Sequence, residues 1–261
     1  MKKLLQVSNV TKQFGGLRAI GGYNGLSFDV DPGSFTGLIG PNGSGKSTIF
    51  NLLSGFLKPN SGSIVFDGND ITTAPPEAIS ERGLARTFQT PRTFSSLTVI
   101  DNVIVGADNP GERLRFSWTG KWRNQEAELK HEAVEIFGRV GLSHRVNDRV
   151  GDLSGGELRM LEVARQMIRK PKLILLDEPT AGVDPKLQQN LADLLIAIHR
   201  KGTTIIVVEH NLHFLLDLVD NLLVINRGEL LAKGSPEEIR SNPEVVSAYL
   251  GGQDAAQSYK N

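Results

Sequence analysis

Short apolar runs alternate with amphipathic stretches along this chain, the pattern of an α/β protein built on a mainly parallel sheet. Leu4–Val10, Leu26–Val30 and Ser34–Ile39 are short runs broken by Gly, Pro and Asn, and they predict strands. Ser63–Phe66, ending at Asp67-Gly68, predicts a further strand that runs into a turn. Tight loops join these early strands, so they are expected to pair antiparallel. Lys172–Leu176 and Thr203–Val208 are nearly continuously apolar, as strands covered on both faces are. Between them Leu187, Leu191, Leu194, Leu195 and Ile198 share one helical face, introduced by Asp184-Pro185 as cap and first-turn proline. Strand, helix and strand then form a right-handed crossover.

The middle of the chain reads differently. Leu129, Ala133, Ile136, Phe137 and Val140 mark one helix, closed by Gly141. Gly155 to Arg169 gives a second, with Leu158, Leu161, Ala164 and Ile168 inward and Arg165, Arg169 and Lys170 near its end. No strand signal appears between about 90 and 170. The expectation is therefore a helical subdomain, residues 90–168, inserted into an α/β body of residues 1–89 and 169–251. A polar tail, 252–261, is expected to fray.

Composition narrows the choices. Lysine plus arginine and aspartate plus glutamate are each 29, so formal charge is zero and the basic excess typical of nucleic-acid binders is missing. There is no cysteine, which excludes a disulfide framework, a thiolate metal site and a cysteine nucleophile. The longest apolar runs fall far below the ~18 residues of a membrane helix. Met1-Lys2-Lys3 leads into a strand-like run and not into a signal-peptide core, so the chain reads as cytoplasmic. Glycine alone stands out, at 28 residues.

Those glycines concentrate where chemistry is expected. Gly40-Pro41-Asn42-Gly43-Ser44-Gly45-Lys46-Ser47-Thr48 matches G-x-x-x-x-G-K-[ST], directly after the strand FTGLI and before the helical STIFNLLSG. Glycines let successive N–H groups converge on phosphate oxygens, and the following helix adds its positive dipole end. Lys46 would reach the β- and γ-phosphates and the Ser47 hydroxyl would ligate Mg²⁺. Further on, Asp177-Glu178 stands at the end of an apolar strand, where open α/β sheets gather their ligands. Asp177 is a direct or second-sphere Mg²⁺ partner in this reading, and Glu178 polarises a water for attack on the γ-phosphate.

Four more segments make the pattern specific. Leu153-Ser154-Gly155-Gly156-Glu157 precedes an amphipathic helix, Gln89 follows LARTF, Ala181-Gly182-Val183-Asp184 follows Glu178-Pro179-Thr180, and His210 follows the strand TTIIVVE. In this order the chain resembles the ATPase subunit of an ABC transporter over essentially its whole length. The resemblance implies a P-loop NTPase fold, in a single cassette domain of residues 1–251. It also implies ATP and Mg²⁺ as ligands. Ser154, Gly155, Gly156 and Glu157 would serve the γ-phosphate of ATP held by an opposite subunit, with Asp184 in a loop crossing the dimer interface. Gln89 would contact Mg²⁺ and water, His210 the γ-phosphate, and Phe14 the adenine; the alternative for Phe14 is a core aromatic. Glu157 stands where the family more often has Gln, a change expected to matter little at a helix N-terminus.

Within the family, GGLRAI, LIGPNGSGKST, GLARTFQTPRTFSSLTVIDNV and the ending AYLGG look like the subunit of branched-chain amino acid importers, whereas LSGGELRM and EPTAGVDP follow the general pattern. The implied partners are a second ATPase subunit, identical or similar, an integral permease and, indirectly, a solute-binding protein, with no nucleic acid. The implied location is the cytoplasmic face of the inner membrane, as a peripheral subunit. Urea uptake, lipopolysaccharide export and a soluble ABC-type ATPase without a permease are the alternatives. In residues 111–125 Arg113, Arg115, Lys121 and Arg123 interleave with Phe116, Trp118 and Trp122, which suits a partner surface or a loop folding onto the helical subdomain.

Overall fold

The computed structural model describes residues 2–88, 93–107 and 122–250, without the side chains of 122–126 and 249–250. Its strands and helices, in chain order, are β1 (Leu5–Phe14), β2 (Leu17–Ile20), β3 (Leu26–Val30), β4 (Phe35–Ile39), α1 (Lys46–Leu53), β5 (Ser61–Phe66), β6 (Asn69–Asp70), α2 (Pro76–Glu81) and β7 (Leu84–Arg86). Then come α3 (Val99–Val105), α4 (Trp122–Val140), α5 (Gly155–Met167), β8 (Leu173–Asp177), α6 (Pro185–Arg200), β9 (Thr204–Val208), α7 (Leu212–Leu216), β10 (Asn221–Asn226), β11 (Glu229–Gly234), α8 (Pro236–Ser241) and α9 (Pro243–Leu250). Two compact units result: one holds the chain up to Arg86, Lys172–Glu178 and everything from Ile198, the other Thr87–Pro171 and Pro179–Ala197.

The first unit carries two sheets. One is antiparallel, with the long β1 pairing with β2, β3 and β5. The other runs in the order β11-β10-β4-β9-β8-β7, parallel except for the edge strand β11. Every residue of β4, β8 and β9 is buried, which is why their sequences lack alternation. Ile49, Phe50, Leu52 and Leu53 of α1 and Ile64 and Phe66 of β5 join the same core as Leu38, Leu175 and Val208. Burying Phe50 to the last atom anchors α1, so Phe50→Ala would cost about 3–5 kcal/mol of stability.

In the second unit α4 turns Ala133, Ile136, Phe137 and Val140 inward, α5 contributes Met160, Leu161 and Ala164, and α3 contributes Val99 and Val103. Leu158 is half-buried, not inward as its spacing suggests, because Leu161 and Ala164 define the centre of the buried stripe. Thr98 caps α3 by accepting from the Asp101 N–H, and Gly141, at φ 76°, ends α4.

Candidate functional site

The order of the parallel sheet builds the site. Strand β4 lies between β9 and β10, β8 lies beyond β9, and all four point the same way, so their carboxyl ends open on one side. Leaving β4, the chain makes the glycine-rich loop; leaving β8 it makes Glu178, leaving β9 His210, and leaving β10 Arg227. These groups surround a cavity of about 520 Å³ whose wall comprises residues 42–48, Glu178, His210 and Arg227, closed by Leu17, Arg18 and Ala19 of β2.

The loop leaves its donors facing the cavity. Helix α1 starts after Gly45, which is left-handed at φ 107°, and no side chain caps it. A Cβ at position 45 would stand 2.6 Å from Ile20 Cδ1, and one at Gly40 2.1 Å from the Ile225 carbonyl oxygen, so neither place tolerates a larger residue. The Ser44 hydroxyl is buried with no hydrogen-bond partner among the described residues. Such an orphaned donor beside uncapped helix N–H groups is what a phosphate oxygen satisfies. Lys46 is buried and donates through Nζ to the carbonyls of Gly40 (2.7 Å) and Pro41 (3.0 Å). Burial pushes its ammonium below the usual lysine range, against the pull of the Glu178 and Asp177 carboxylates. Ser47 and Thr48 complete the wall.

Glu178 takes a left-handed backbone at φ 49°, the turn that brings the chain out of β8 and its carboxylate into the wall. Its N–H donates to the Val208 carbonyl, tying it to β9, and its Oε1 lies 2.9 Å from His210 Nε2. Asp177 is not in the cavity wall. It is buried, with Oδ2 3.4 Å from Arg86 Nη2, and Arg86 is in turn held by Asn51 Oδ1 (2.7 Å) and Ser54 Oγ (2.8 Å) over the Phe50 ring. Phe14 is 45 % exposed at the end of β1 with the Lys12 ammonium 5.4 Å from its ring centroid, so it is no core residue, and it does not line the cavity. Gln89 and most of the Arg/Trp-rich segment 111–125 fall outside the described residues.

The remaining candidates lie in the second unit. Ser154 heads α5 in a complete capping box: its hydroxyl accepts from the Glu157 N–H (3.3 Å) while Glu157 Oε2 accepts from the Ser154 N–H (2.8 Å). Arg145 Nε lies 3.1 Å from the other carboxylate oxygen. Burial raises the Glu157 pKa, but the Ser154 donors and Arg145 outweigh it and hold the carboxyl below its ordinary range. A Cβ on Gly156 would meet Leu187 Cδ1 at 2.8 Å, so the glycine permits close packing there. Asp184 caps α6, accepting from the N–H groups of Lys186 and Leu187, each at 3.1 Å.

The donor set of the cavity suits magnesium bound with a polyphosphate. Mg²⁺ uses one or two protein oxygens and takes the rest from phosphates and water, so it needs no dedicated carboxylate cage. Among the described residues there is none, while the Ser47 hydroxyl lines the wall and Asp177 stands behind it. The loop, Glu178 and His210, all expected from the sequence, line one cavity, and Leu17, Arg18, Ala19 and Arg227 join them without a sequence signal that pointed to the site.

Comparison with known proteins agrees with this geometry. A family model described as ABC transporter matches residues 23–181, more than half of the chain, and one described as Branched-chain amino acid ATP-binding cassette transporter matches residues 229–255. The probable branched-chain amino acid transport ATP-binding protein LivG of Archaeoglobus fulgidus is 40% identical over 253 residues, 97% of each chain. The high-affinity branched-chain amino acid transport ATP-binding protein LivG of Escherichia coli K12 is 37% identical over 252 residues, 95% of this chain and 98% of that one. Among solved structures, a nucleotide-free ATP-binding cassette superposes with a TM-score of 0.81 at 36% identity, covering 96% of this chain and all of that one. An ATP-binding cassette in its ADP conformation gives 0.81 at 35% identity, covering 97% and 100%. A glycine loop whose donors await phosphate, a glutamate–histidine pair beside it and full-length relatives of one kind lead to a single assignment: the chain belongs to the ABC transporter family, as the ATP-binding, ATP-hydrolysing cassette subunit.

Proposed function

We propose that this cassette energises the uptake of branched-chain amino acids. The observation that carries the hydrolytic part is the convergence of residues 42–48, Glu178 and His210 on one cavity. The solute class is supported by relatives of that name aligned along nearly the whole chain.

In this reading the loop N–H groups, the Ser44 hydroxyl and Lys46 hold the β- and γ-phosphates, and Lys46 leaves its carbonyl partners to do so. Glu178 takes the proton of the attacking water as the γ-phosphoryl group leaves ADP, and His210, hydrogen-bonded to Glu178, fixes the direction of that carboxylate. Bound magnesium supplies charge neutralisation at the phosphates, with Ser47, Asp177 and Gln89 as its holders. Arg86 restrains Asp177 from the far side. Phe14 is assigned to the adenine.

Two chains complete the cycle. The Ser154-Gly155-Gly156-Glu157 helix start of one subunit meets the γ-phosphate bound by the other, and Asp184 belongs to the loop between them. ATP then closes the pair and hydrolysis reopens it, an equilibrium set by the phosphate each face binds. Gln89 passes closure to an integral permease, with a solute-binding protein upstream. The single cassette of residues 1–251, its α/β body (1–89, 169–251), its helical subdomain (90–168) and the tail 252–261 are part of this reading. So is a peripheral place on the cytoplasmic membrane face; among the described residues no helix is long and apolar enough to cross a membrane. The decisive experiment reconstitutes the cassette with its permease in vesicles and follows ATP-dependent leucine uptake. Stimulation of urea uptake instead, or co-sedimentation with ribosomes and no permease, overturns the reading.

A further inference from the structure

We propose that Arg18 and Arg227 are phosphate-binding residues of the nucleotide cavity, a second cationic clamp on the polyphosphate chain opposite Glu178 and His210. This inference rests on the nucleotide reading above and names residues of that same site.

Backbone strain gives the first observation. Among the described residues three long side chains stand on a left-handed backbone, at Lys170, Glu178 and Arg227, and two of those three line the cavity. Arg227 (φ 48°) and Gly228 (φ 79°) are the central pair of the β10–β11 hairpin, a type I′ turn that ordinarily calls for Asn-Gly or Asp-Gly. An arginine there holds an unfavourable conformation that asparagine would take with less strain, and such outliers gather at ligand sites.

The second observation is how rigidly that turn is fixed to the phosphate loop. Gly228 donates its N–H to the Ser44 carbonyl (2.8 Å) and accepts from the Gly21 N–H (2.8 Å). A Cβ at Gly228 would meet the Ala19 carbonyl oxygen at 2.3 Å, so the turn and β2 touch backbone to backbone. From the loop's side, a Cβ at Gly45 would find Ala19 O at 3.2 Å and Gly228 Cα at 3.6 Å. Ala19 and Gly228, the chain neighbours of Arg18 and Arg227, therefore both flank Gly45, the residue before α1, and both arginines line the cavity beside it.

Charge is the third. Lys46 and Glu178 cancel, so without the arginines the charged lining of the cavity is neutral; with them, three cations face one carboxylate. A polyphosphate brings several negative charges, and a net positive wall is what draws it in. Neither guanidinium makes a hydrogen bond or ion pair among the described residues, so both have their donor forks free for phosphate oxygens.

The test is ADP binding to the full chain, measured by calorimetric titration at two ionic strengths, beside thermal unfolding without nucleotide. Arg227→Asn is expected to weaken ADP binding about tenfold, the scale of one charge-assisted hydrogen bond at a partly solvated site. It should flatten the salt dependence and leave the unfolding temperature unchanged or raised, since asparagine suits the turn. Arg18→Gln should act in the same direction, and Arg227→Lys should restore part of the affinity. Folded Arg227→Asn and Arg18→Gln chains that bind ADP with the parent affinity and salt dependence would overturn the proposal, while Lys46→Ala still losing ADP would leave the nucleotide reading standing. If Lys46→Ala too binds ADP normally, the nucleotide reading itself fails.

Discussion

Two helices of this molecule begin at glycine-rich turns, and they solve the same problem in opposite ways. Each leaves N–H groups at its first turn that need an acceptor. Helix α5 supplies its own: Ser154 and Glu157 cap each other's backbone, and Arg145 neutralises the carboxylate. Helix α1 supplies nothing, with no capping side chain, no acid in its first turn and a buried serine hydroxyl left unpaired nearby. A helix start without a cap gives up about 1 kcal/mol that a serine or aspartate would return. The loop ahead of it leaves β4, between β9 and β10, and lines the cavity, which explains why that loss is tolerated: the acceptor comes from outside. The α5 start is capped before any ligand arrives, and what it can still offer a second nucleotide is the hydroxyl proton of Ser154 and the Gly155 and Gly156 N–H groups, which the capping box leaves unused.

That contrast is open to attack at several points. The largest effect belongs to Glu178→Gln, which removes the proton acceptor while keeping the shape: hydrolysis should slow by about 10²–10⁴-fold in a phosphate-release assay, with ADP affinity retained. Full activity would remove Glu178 from the mechanism. Lys46→Ala should weaken ADP binding itself by about two orders of magnitude, because the ammonium meets the phosphates in the bound ground state, and titration calorimetry reads this directly. At the other helix, Ser154→Ala should cost about 1 kcal/mol in denaturant unfolding and leave ADP binding by the lone chain untouched. Were ADP affinity to fall instead, the two helix starts would not be separable as described.

The smallest effect is a pH dependence at the same cap. Glu157 is held below its ordinary value of 4.5. A carboxyl depressed in the folded chain contributes stability that is fully present above the unfolded pKa and is lost as pH falls through the folded one. Between pH 5 and 8 the contribution is therefore flat, and it disappears only in acid below about 4.5. Glu157→Gln should shrink the acid part of the pH–stability profile without altering the neutral part, and an unchanged acid limb would show that the Ser154 donors and Arg145 do not hold this carboxyl down.

The difference between the helices was half visible in the chain itself. Ser154 followed three residues later by Glu157 is a capping box on sight, and GPNGSGKST announces an anion loop through its glycines and its lysine. Buried strands β8 and β9 could be read because four large apolar residues in a row, Leu173–Leu176 and Ile205–Val208, admit little else. The cavity's other wall could not. Strand β2, with the exposed Leu17 and Arg18, has only four residues and shows no apolar pattern. Arg227 reaches the site because β10 lies beside β4, although Asn221 and its partner Thr36 are far apart in the sequence, and pairing across such separations leaves no local mark. Asp177 shows the converse limit: its position at a strand end is plain from the sequence, but that its carboxylate turns to a buried arginine is a property of packing.

The most direct measurement is sedimentation, with ATP and magnesium, of the Glu178→Gln chain and of the double variant that adds Ser154→Arg to the same chain. If one γ-phosphate is held by the loop of one copy and the serine-headed helix of another, Glu178→Gln sediments as a dimer only when ATP is present, and Ser154→Arg abolishes that dimer while still binding nucleotide. A Glu178→Gln chain saturated with ATP that stays monomeric at high concentration, with its permease supplied, would contradict the two-chain site.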